Sequence, residues 1–295
     1  MGSKSGILNE LCRIFPTADN FYDLFGGGFS VSHFMLLHRN NDYKTFTYNE
    51  IQAGIGNLIE DAISGKYSYQ NFKPEFITRE RFRELRDKDA YVKMCWSFGC
   101  NGKDYLFNPE IERIKHEIHN AVVFNRFSDL AKLHLGIDNF TETDIKKRRL
   151  LTNKLLANRC DLGQLERLER LQQLERLERL QQLEQLQRLE IIQGSYDNVK
   201  IKNNSVIYCD PPYQNTSRYL SGVFNHNQFF DWACDQKEPV FISEYNIDHN
   251  GLKPVWSKEK KVTLCASDNR IKKIENLYAN ESGVQSIKHG HDLFS

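Results

Sequence analysis

Asp210-Pro211-Pro212-Tyr213 combines a carboxylate, two stiff backbone positions and a flat aromatic face. These residues directly follow the apolar run Val206-Ile207-Tyr208-Cys209. Two prolines end a strand and remove two backbone donors. Open α/β sheets bind ligands beyond the carboxyl ends of their strands, and Asp210 is expected at such an end. An ionised carboxylate only accepts hydrogen bonds, and the prolines hold the Pro211 carbonyl beside it. Two neighbouring acceptors suit an NH₂ group, which carries two donors. Tyr213 offers a face on which a planar base can stack. The set describes a slot for a planar ring bearing an exocyclic amine. A plain strand-ending turn with a solvated acid accounts for Asp-Pro, but less well for D-P-P-Y behind four apolar residues.

A second constellation lies near the start of the chain. YDLFGGGFSV places Gly26-Gly27-Gly28 after a short apolar strand. Glycines allow a tight turn and close approach of a ligand to the main chain. Glu50 ends the next expected strand, where an acid can accept hydrogen bonds from ribose hydroxyls. Turn and acid together point to a nucleoside cofactor. A pyrophosphate cofactor would favour G-x-G-x-x-G leading into a helix. Gly26-Gly27-Gly28-Phe29-Ser30 lacks that third glycine, which argues against NAD.

The elements that must position these residues alternate. Helical spacing covers Ile7 to Phe15, Val31 to Arg39 and about Gln52 to Ile63. Strands are expected at Phe21–Phe25 and Lys44–Tyr48. This is the grammar of a parallel α/β sheet. It resumes after Gln193, with strands expected at Val206–Cys209, Pro239–Ser243 and Lys261–Ala266. Helices are expected at Phe229–Asp235 and Ile271–Tyr278. Between the two parts, residues 71–160 are dense in both charges and read as an inserted, mostly helical subdomain. Its basic run Lys146-Lys147-Arg148-Arg149, with Lys154, supplies the candidate phosphate contacts; a solvated helix face is the plainer reading. Residues 161–190 hold a nine-residue repeat with leucine at every third position from Leu162 to Leu189. At about 100° per residue this stripe circles the helix rather than forming one seam, so a two-stranded coiled coil is not expected. A tolerated low-complexity helix is the plainer reading and a docking surface the sharper one.

Bulk composition is consistent with this plan. The chain has 295 residues, net charge +1, 40% hydrophobic and 12% aromatic residues. The length suits one large α/β domain with an inserted subdomain, or two domains, and near-neutral charge confines any nucleic-acid surface to a local patch. No apolar run is long enough to span a membrane, and MGSKSGILNELCRIFP lacks the apolar segment of a secretory signal. Seven cysteines without C-x-x-C spacing read as reduced thiols of a cytosolic protein, not as a disulfide framework or zinc site. His33, His38, His116, His119, His289 and His291 form no metal-ligand pattern, so no metal is expected.

Taken together, these segments resemble the adenine-N6 DNA methyltransferases of the DNA adenine methylase type, over most of the chain. GSKSGILNELCRIFP resembles the family's first motif, with Lys4 as its lysine. DLFGGGFSV resembles the F-x-G-x-G cofactor motif, with Phe29 standing where the last glycine usually stands. YNEIQAGIGNLI resembles the segment carrying the ribose-binding acid, and SFGCNGKDYLFN the opening of the target-recognition region. IIQGSYDNV followed by VIYCDPPY resembles the strand flanking the cofactor adenine and then the catalytic motif.

The resemblance implies a Rossmann-like α/β methyltransferase sheet, formed by residues 1–70 and 191–295, with 71–160 as the target-recognition insertion. It implies S-adenosylmethionine as methyl donor, held by Lys4, Phe25, Gly27, Glu50, Tyr196 and Asp210. Asp210, Pro211, Pro212 and Tyr213 are then the catalytic set, acting on an adenine flipped from double-stranded DNA. DNA contacts fall to Asn101, Lys103, Lys146, Lys147, Arg148 and Arg149, and a cognate restriction endonuclease is a possible partner. The recognition segment after Asn101-Gly102 does not match GATC-reading enzymes, so the target sequence does not carry over. Cytosine N4, an RNA base or a protein glutamine are alternative acceptors, with serine or asparagine usual at the Asp210 position for cytosine and glutamine. A DNA-binding module with a vestigial pocket is a further alternative; intact Lys4, Gly27, Glu50 and Asp210 weigh against it.

Overall fold

The computed structural model describes residues 4, 6–68, 72–98, 101–157, 180, 188–214, 224–262 and 271–292. Most of the leucine repeat therefore lies outside the described residues. The chain divides into two compact units, one of Gly2–Gly56 with Gln185–Ser295 and one of Asn57–Glu184.

The first unit opens with helix α1 (Leu8–Leu11), followed by strand β1 (Asn20–Asp23), helix α2 (Ser30–His38), strand β2 (Thr45–Glu50) and the start of helix α3 (Ile55–Ile63). The chain then enters the second unit, which carries α4 (Arg79–Leu85), α5 (Ala90–Cys95), α6 (Pro109–Phe124), α7 (Asp129–Leu135) and α8 (Ile145–Ala157). These helices begin where a side chain can satisfy the open N–H groups. Thr78, Asp89, Asn108 and Ser128 each cap one, and Pro109 follows its cap where a missing N–H costs nothing. Phe76, Trp96 and His119 pack edge to face inside this unit, and Phe107 lies flat against Phe76.

The chain returns to the first unit with β3 (Leu189–Gln193), β4 (Ser205–Cys209), α9 (His226–Asp235), β5 (Val240–Glu244), β6 (Lys253–Val262), β7 (Ile271–Ala279) and α10 (Glu281–Asp292). The seven strands form one sheet in the order β3-β2-β1-β4-β5-β7-β6. The first five are parallel to one another, whereas β7 is antiparallel to both β5 and β6. This is the Rossmann-like α/β sheet expected from the sequence.

Alternation along the buried strands sorts the core into two faces. Tyr22, Ile207, Cys209, Val240 and Ile242 pack with Phe229 and Phe230 of α9. On the other face Phe15 meets Phe21, Tyr208 and Phe241, with ring centroids 5.2–5.8 Å apart. Each such ring removed from water contributes about 2 kcal/mol. Because both faces of β4 and β5 are covered, their sequences read as continuous apolar runs.

Two expectations at the C-terminal end need correction. Ile271–Tyr278, expected as a helix, is strand β7. Ile271, Ile274, Leu277 and Tyr278 are spaced like a helix face, yet pairing on both sides imposes the extended form, and sheet context outweighs local pattern. The strand expected at Lys261–Ala266 instead begins at Lys253, and residues 263–266 lie outside the described residues. Strand β6 is the sheet edge and carries Lys253, Pro254 and Lys258, residues that obscure a strand pattern but suit an edge.

Asn280, directly after β7, locks this end of the sheet. Its Oδ1 accepts hydrogen bonds from the N–H groups of Val240 (3.0 Å) and Gly283 (2.9 Å). Its Nδ2 donates to the carbonyls of Ala233, Gln236 and Glu238 at 3.1–3.2 Å. The side chain thus ties α9, β5 and α10 together from a fully buried position. Asn280→Ala orphans these groups together and is expected to destabilise the protein by about 3–5 kcal/mol in denaturant titration.

Candidate functional site

The parallel strands β1, β2, β4 and β5 each end in, or directly precede, an acid at the same edge of the sheet: Asp23, Glu50, Asp210 and Glu244. Antiparallel β7 brings its N-terminal half to that edge, with Asn276 opposite Glu244 and Glu275 one residue beyond.

The glycine turn between β1 and α2 is fastened to β2 along its length. Gly26 N–H donates to the Asn49 carbonyl (2.9 Å), Gly27 N–H donates to Glu50 Oε2 (2.9 Å), and Tyr48 hydroxyl donates to the Gly27 carbonyl (2.7 Å). A Cβ on Gly26 would lie 2.0 Å from the Tyr48 ring, so only glycine fits there. Gly27 adopts φ 48° and Phe29 φ 64°. A left-handed backbone costs a non-glycine residue about 1–2 kcal/mol. Here that cost is offset because the Phe29 ring is buried edge-on against Tyr48. The conformation explains why glycine is usual at this motif position.

Glu50 is buried, and its second oxygen accepts from Gln52 N–H (2.9 Å). Desolvation raises its pKa despite these N–H bonds. The carboxylate therefore shapes the turn as well as facing the sheet edge. Ile51, next to it, is 51% exposed and offers an apolar surface that the sequence reading missed. Phe25 and Tyr196 lie one against the other, with centroids 5.4 Å apart, in a cluster with Phe224, Phe229 and Trp232. Both rings remain partly exposed.

Asp23 is another residue the sequence reading missed, although an acid three positions before the glycine turn was a visible signal. Its Oδ2 accepts from Ser32 hydroxyl (2.7 Å) and Ser32 N–H (3.2 Å), while its buried Oδ1 has no partner among the described residues. Burial, with a contribution from Asp210, pushes its pKa up to about 7.

Asp210 stands immediately after β4, beside Lys4. The Lys4 ammonium is 3.1 Å from Asp210 Oδ1 and also donates to Glu275 Oε1 and to the Tyr213 hydroxyl. Tyr213 hydroxyl donates to the same Glu275 oxygen, and its ring stands edge-on to Tyr245, centroids 4.6 Å apart. Burial pushes Asp210 up while Lys4 draws it down, and it stays above its ordinary value. Burial alone would push Lys4 down, but the charges of Asp210 and Glu275 hold it above its ordinary value. The loop after Asp210 is held from both sides. His226 Nε2 lies 2.7 Å from the Pro212 carbonyl, and Gln214 N–H donates to Glu244 Oε2 (3.0 Å). Desolvation pushes Glu244 up to about 7.

The structure thus brings Lys4, Asp210 and Tyr213 into one cluster, adds Glu275 to it, and places Gly27 with Glu50. A family model for D12 class N6 adenine-specific DNA methyltransferases matches residues 1–290. The chain belongs to that family. It is accordingly an adenine-specific DNA methyltransferase, with S-adenosylmethionine as methyl donor and DNA as substrate. No curated protein matches. Among solved structures, the Streptomyces viridochromogenes rRNA methyltransferase aviRa at 2.4 Å is 11% identical, covering 95% of this chain and 84% of that one with a TM-score of 0.37. The same enzyme at 1.5 Å gives 11% identity, 96% and 85% coverage and a TM-score of 0.35. Likenesses this slight carry no weight here.

The site of this D12-class enzyme fits the donor. A sulfonium and an α-ammonium are cationic, and the sheet edge is lined by acids, one with a buried oxygen lacking a partner. Among the described residues, no group of His, Cys, Asp and Glu is arranged to hold a metal ion, and no helix is long and apolar enough to cross a membrane.

The second unit revises the DNA-contact set. Arg148 and Arg149, expected at phosphates, are both buried. Arg148 donates to the carbonyls of Glu142 (2.6 Å) and Val122 (3.3 Å), so its guanidinium closes backbone groups inside the unit. Asn101 Oδ1 accepts from the N–H groups of Lys103 and Asp104, and its Nδ2 donates to Asp104, which commits the amide to its own turn. Lys103, Lys146, Lys147 and Lys154 are exposed.

An acid whose folded pKa exceeds its unfolded value of about 3.9 stabilises the fold while protonated and loses that contribution as pH rises through the folded pKa. For Asp23 this places the loss between about pH 4 and about pH 7. Asp23→Asn is expected to flatten the fall in melting temperature of the cofactor-free protein over this window, as read by calorimetry.

Proposed function

We propose that the enzyme methylates adenine N6 in double-stranded DNA after flipping the base into the slot formed by Asp210, Pro211 and Tyr213. The observation that carries this reading is the carboxylate of Asp210, held at the end of β4 by Lys4 and followed by a loop anchored at His226 and Glu244. Bound S-adenosylmethionine supplies a methyl whose bond to sulfur breaks, leaving its electron pair there, as the bond to N6 forms.

The protein's own groups make N6 a competent nucleophile. Its lone pair is delocalised into the purine ring. Asp210 and the Pro211 carbonyl accept the two N6 hydrogens, which favours a more tetrahedral nitrogen with its lone pair free. Positive charge develops on N6 during attack, and a fixed carboxylate stabilises it. Asp210 then takes the surplus N6 proton and passes it to solvent. Holding nitrogen and methyl in line is the second large contribution. Tyr213 stacks on the base, returning about 1–3 kcal/mol of the unstacking cost. Glu50 and Asp23 receive the polar ends of the donor, and Ile51, Phe25 and Tyr196 its adenine.

Lys103 is the base-reading candidate, and Lys146, Lys147 and Lys154 the phosphate contacts. The Lys147 ammonium lies 3.8 Å from Glu142, an exposed pairing that a phosphate readily replaces.

Asp210→Ala should retain cofactor binding in calorimetry and lose transfer of labelled methyl to DNA; turnover near wild type overturns the assignment. Mass spectrometry of nucleosides from DNA treated with the wild-type enzyme should show N6-methyladenine, and N4-methylcytosine would refute the reading. Converting Lys146, Lys147 and Lys154 to Gln should reduce the slope of log affinity against log salt by roughly three.

A further inference from the structure

Glu275 belongs to none of the motifs that mark the site, yet its carboxylate lies within the Lys4, Asp210 and Tyr213 cluster. It is 1% exposed and sits inside strand β7, not on a loop. Its Oε1 accepts from the Lys4 ammonium and from the Tyr213 hydroxyl. Lys4 in turn lies 3.1 Å from Asp210 Oδ1. One ammonium therefore bridges two carboxylates, one of which must serve the base amine. An ammonium paired with Asp210 alone would compete with the N6 hydrogens for its lone pairs. A second carboxylate gives the ammonium another acceptor and leaves part of Asp210 available. The Tyr213 ring follows the same oxygen through its hydroxyl.

We propose that Glu275 is a positioning residue for methyl transfer, holding Lys4 aside from Asp210 and orienting the Tyr213 ring. The inference rests on Asp210 as the amine acceptor. Packing alone does not account for a carboxylate here, because burying one is costly unless its charge is matched. Both partners that match it are site residues.

The coupling has a sign that a structural role would not produce. The groups bearing on Asp210 are Lys4 from the N-terminal segment, Asp23 from β1, Tyr208 and Cys209 from its own strand, Tyr213 beyond it, Glu244 and Tyr245 at the end of β5, and Glu275 from β7. Lys4 draws the Asp210 titration down, and Glu275 pushes it up. In the full-length, cofactor-free protein, carboxyl carbon NMR should show the Asp210 midpoint falling in Glu275→Gln and rising in Lys4→Met. With cofactor and DNA, Glu275→Gln should lower kcat by about tenfold to a hundredfold, the scale of a misplaced reacting group, and shift the acid limb of its pH profile downward. Cofactor affinity should stay close to wild type.

If Glu275→Gln does not fold, Glu275→Asp replaces it. That variant keeps the charge but withdraws it by one methylene, and should give an intermediate midpoint and kcat. Wild-type kcat in the variant, an unmoved Asp210 midpoint, or loss of cofactor binding each overturns the proposal. Absence of N6-methyladenine from the wild-type reaction would instead fell the Asp210 assignment, while the cofactor-free titration still tests the coupling.

Discussion

A single ammonium among desolvated carboxylates constrains the whole site. Asp23, Glu50, Asp210 and Glu244 converge on one edge of the sheet because parallel strands all present their carboxyl ends there. Burial raises the pKa of each of them. The only oppositely charged side chain paired with them among the described residues is Lys4, which bridges Asp210 and Glu275. This imbalance is unfavourable for the empty fold and suits a site that receives a cationic methyl donor and stabilises charge developing on an amine. Stability and chemistry pull in opposite directions at this edge, and the rest of the unit is built to hold the acids in place.

That support is mostly backbone. The glycine turn is tied to β2 by three hydrogen bonds, so the surface offered to a nucleoside is set by strand positions rather than by loop conformation. The prolines stiffen the chain after Asp210, and His226 and Glu244 fix it from α9 and β5. Asn280 joins those same two elements at the opposite end of β5. The loop after Asp210 is therefore braced by elements that are themselves locked together.

Much of this was legible from local pattern. Asp210-Pro211-Pro212-Tyr213, the glycine turn and Glu50 are short motifs whose chemistry follows from neighbours in sequence. Lys4 was placed at the cofactor by resemblance, and the structure adds its pairing with Asp210. Glu275 was hidden because its segment carries helix-like spacing, and only pairing with β5 and β6 turns it to the sheet edge. Arg148 and Arg149 were misread for a different reason. A run of four basic residues suggests a uniform positive face, but at about 100° per residue consecutive helix positions point in different directions. Ile145, Arg148, Arg149, Thr152 and Leu156 form the inward stripe of α8 at i, i+3, i+4, i+7 and i+11, so the second half of the basic run falls on the buried face while Lys146 and Lys147 fall outside it, and that pattern was present in the sequence. Phe29 shows the converse case: the departure from glycine was visible, but the left-handed backbone that makes glycine usual was not.

Among the described residues the sheet ends at β6, whose outer backbone groups face no further strand. Such an edge is a template on which a second copy of the chain could lay its own strand. Lys253 and Lys258 would each have to surrender hydration for that pairing, and Pro254 offers no N–H to it. The edge thus resists being extended by a strand from another chain.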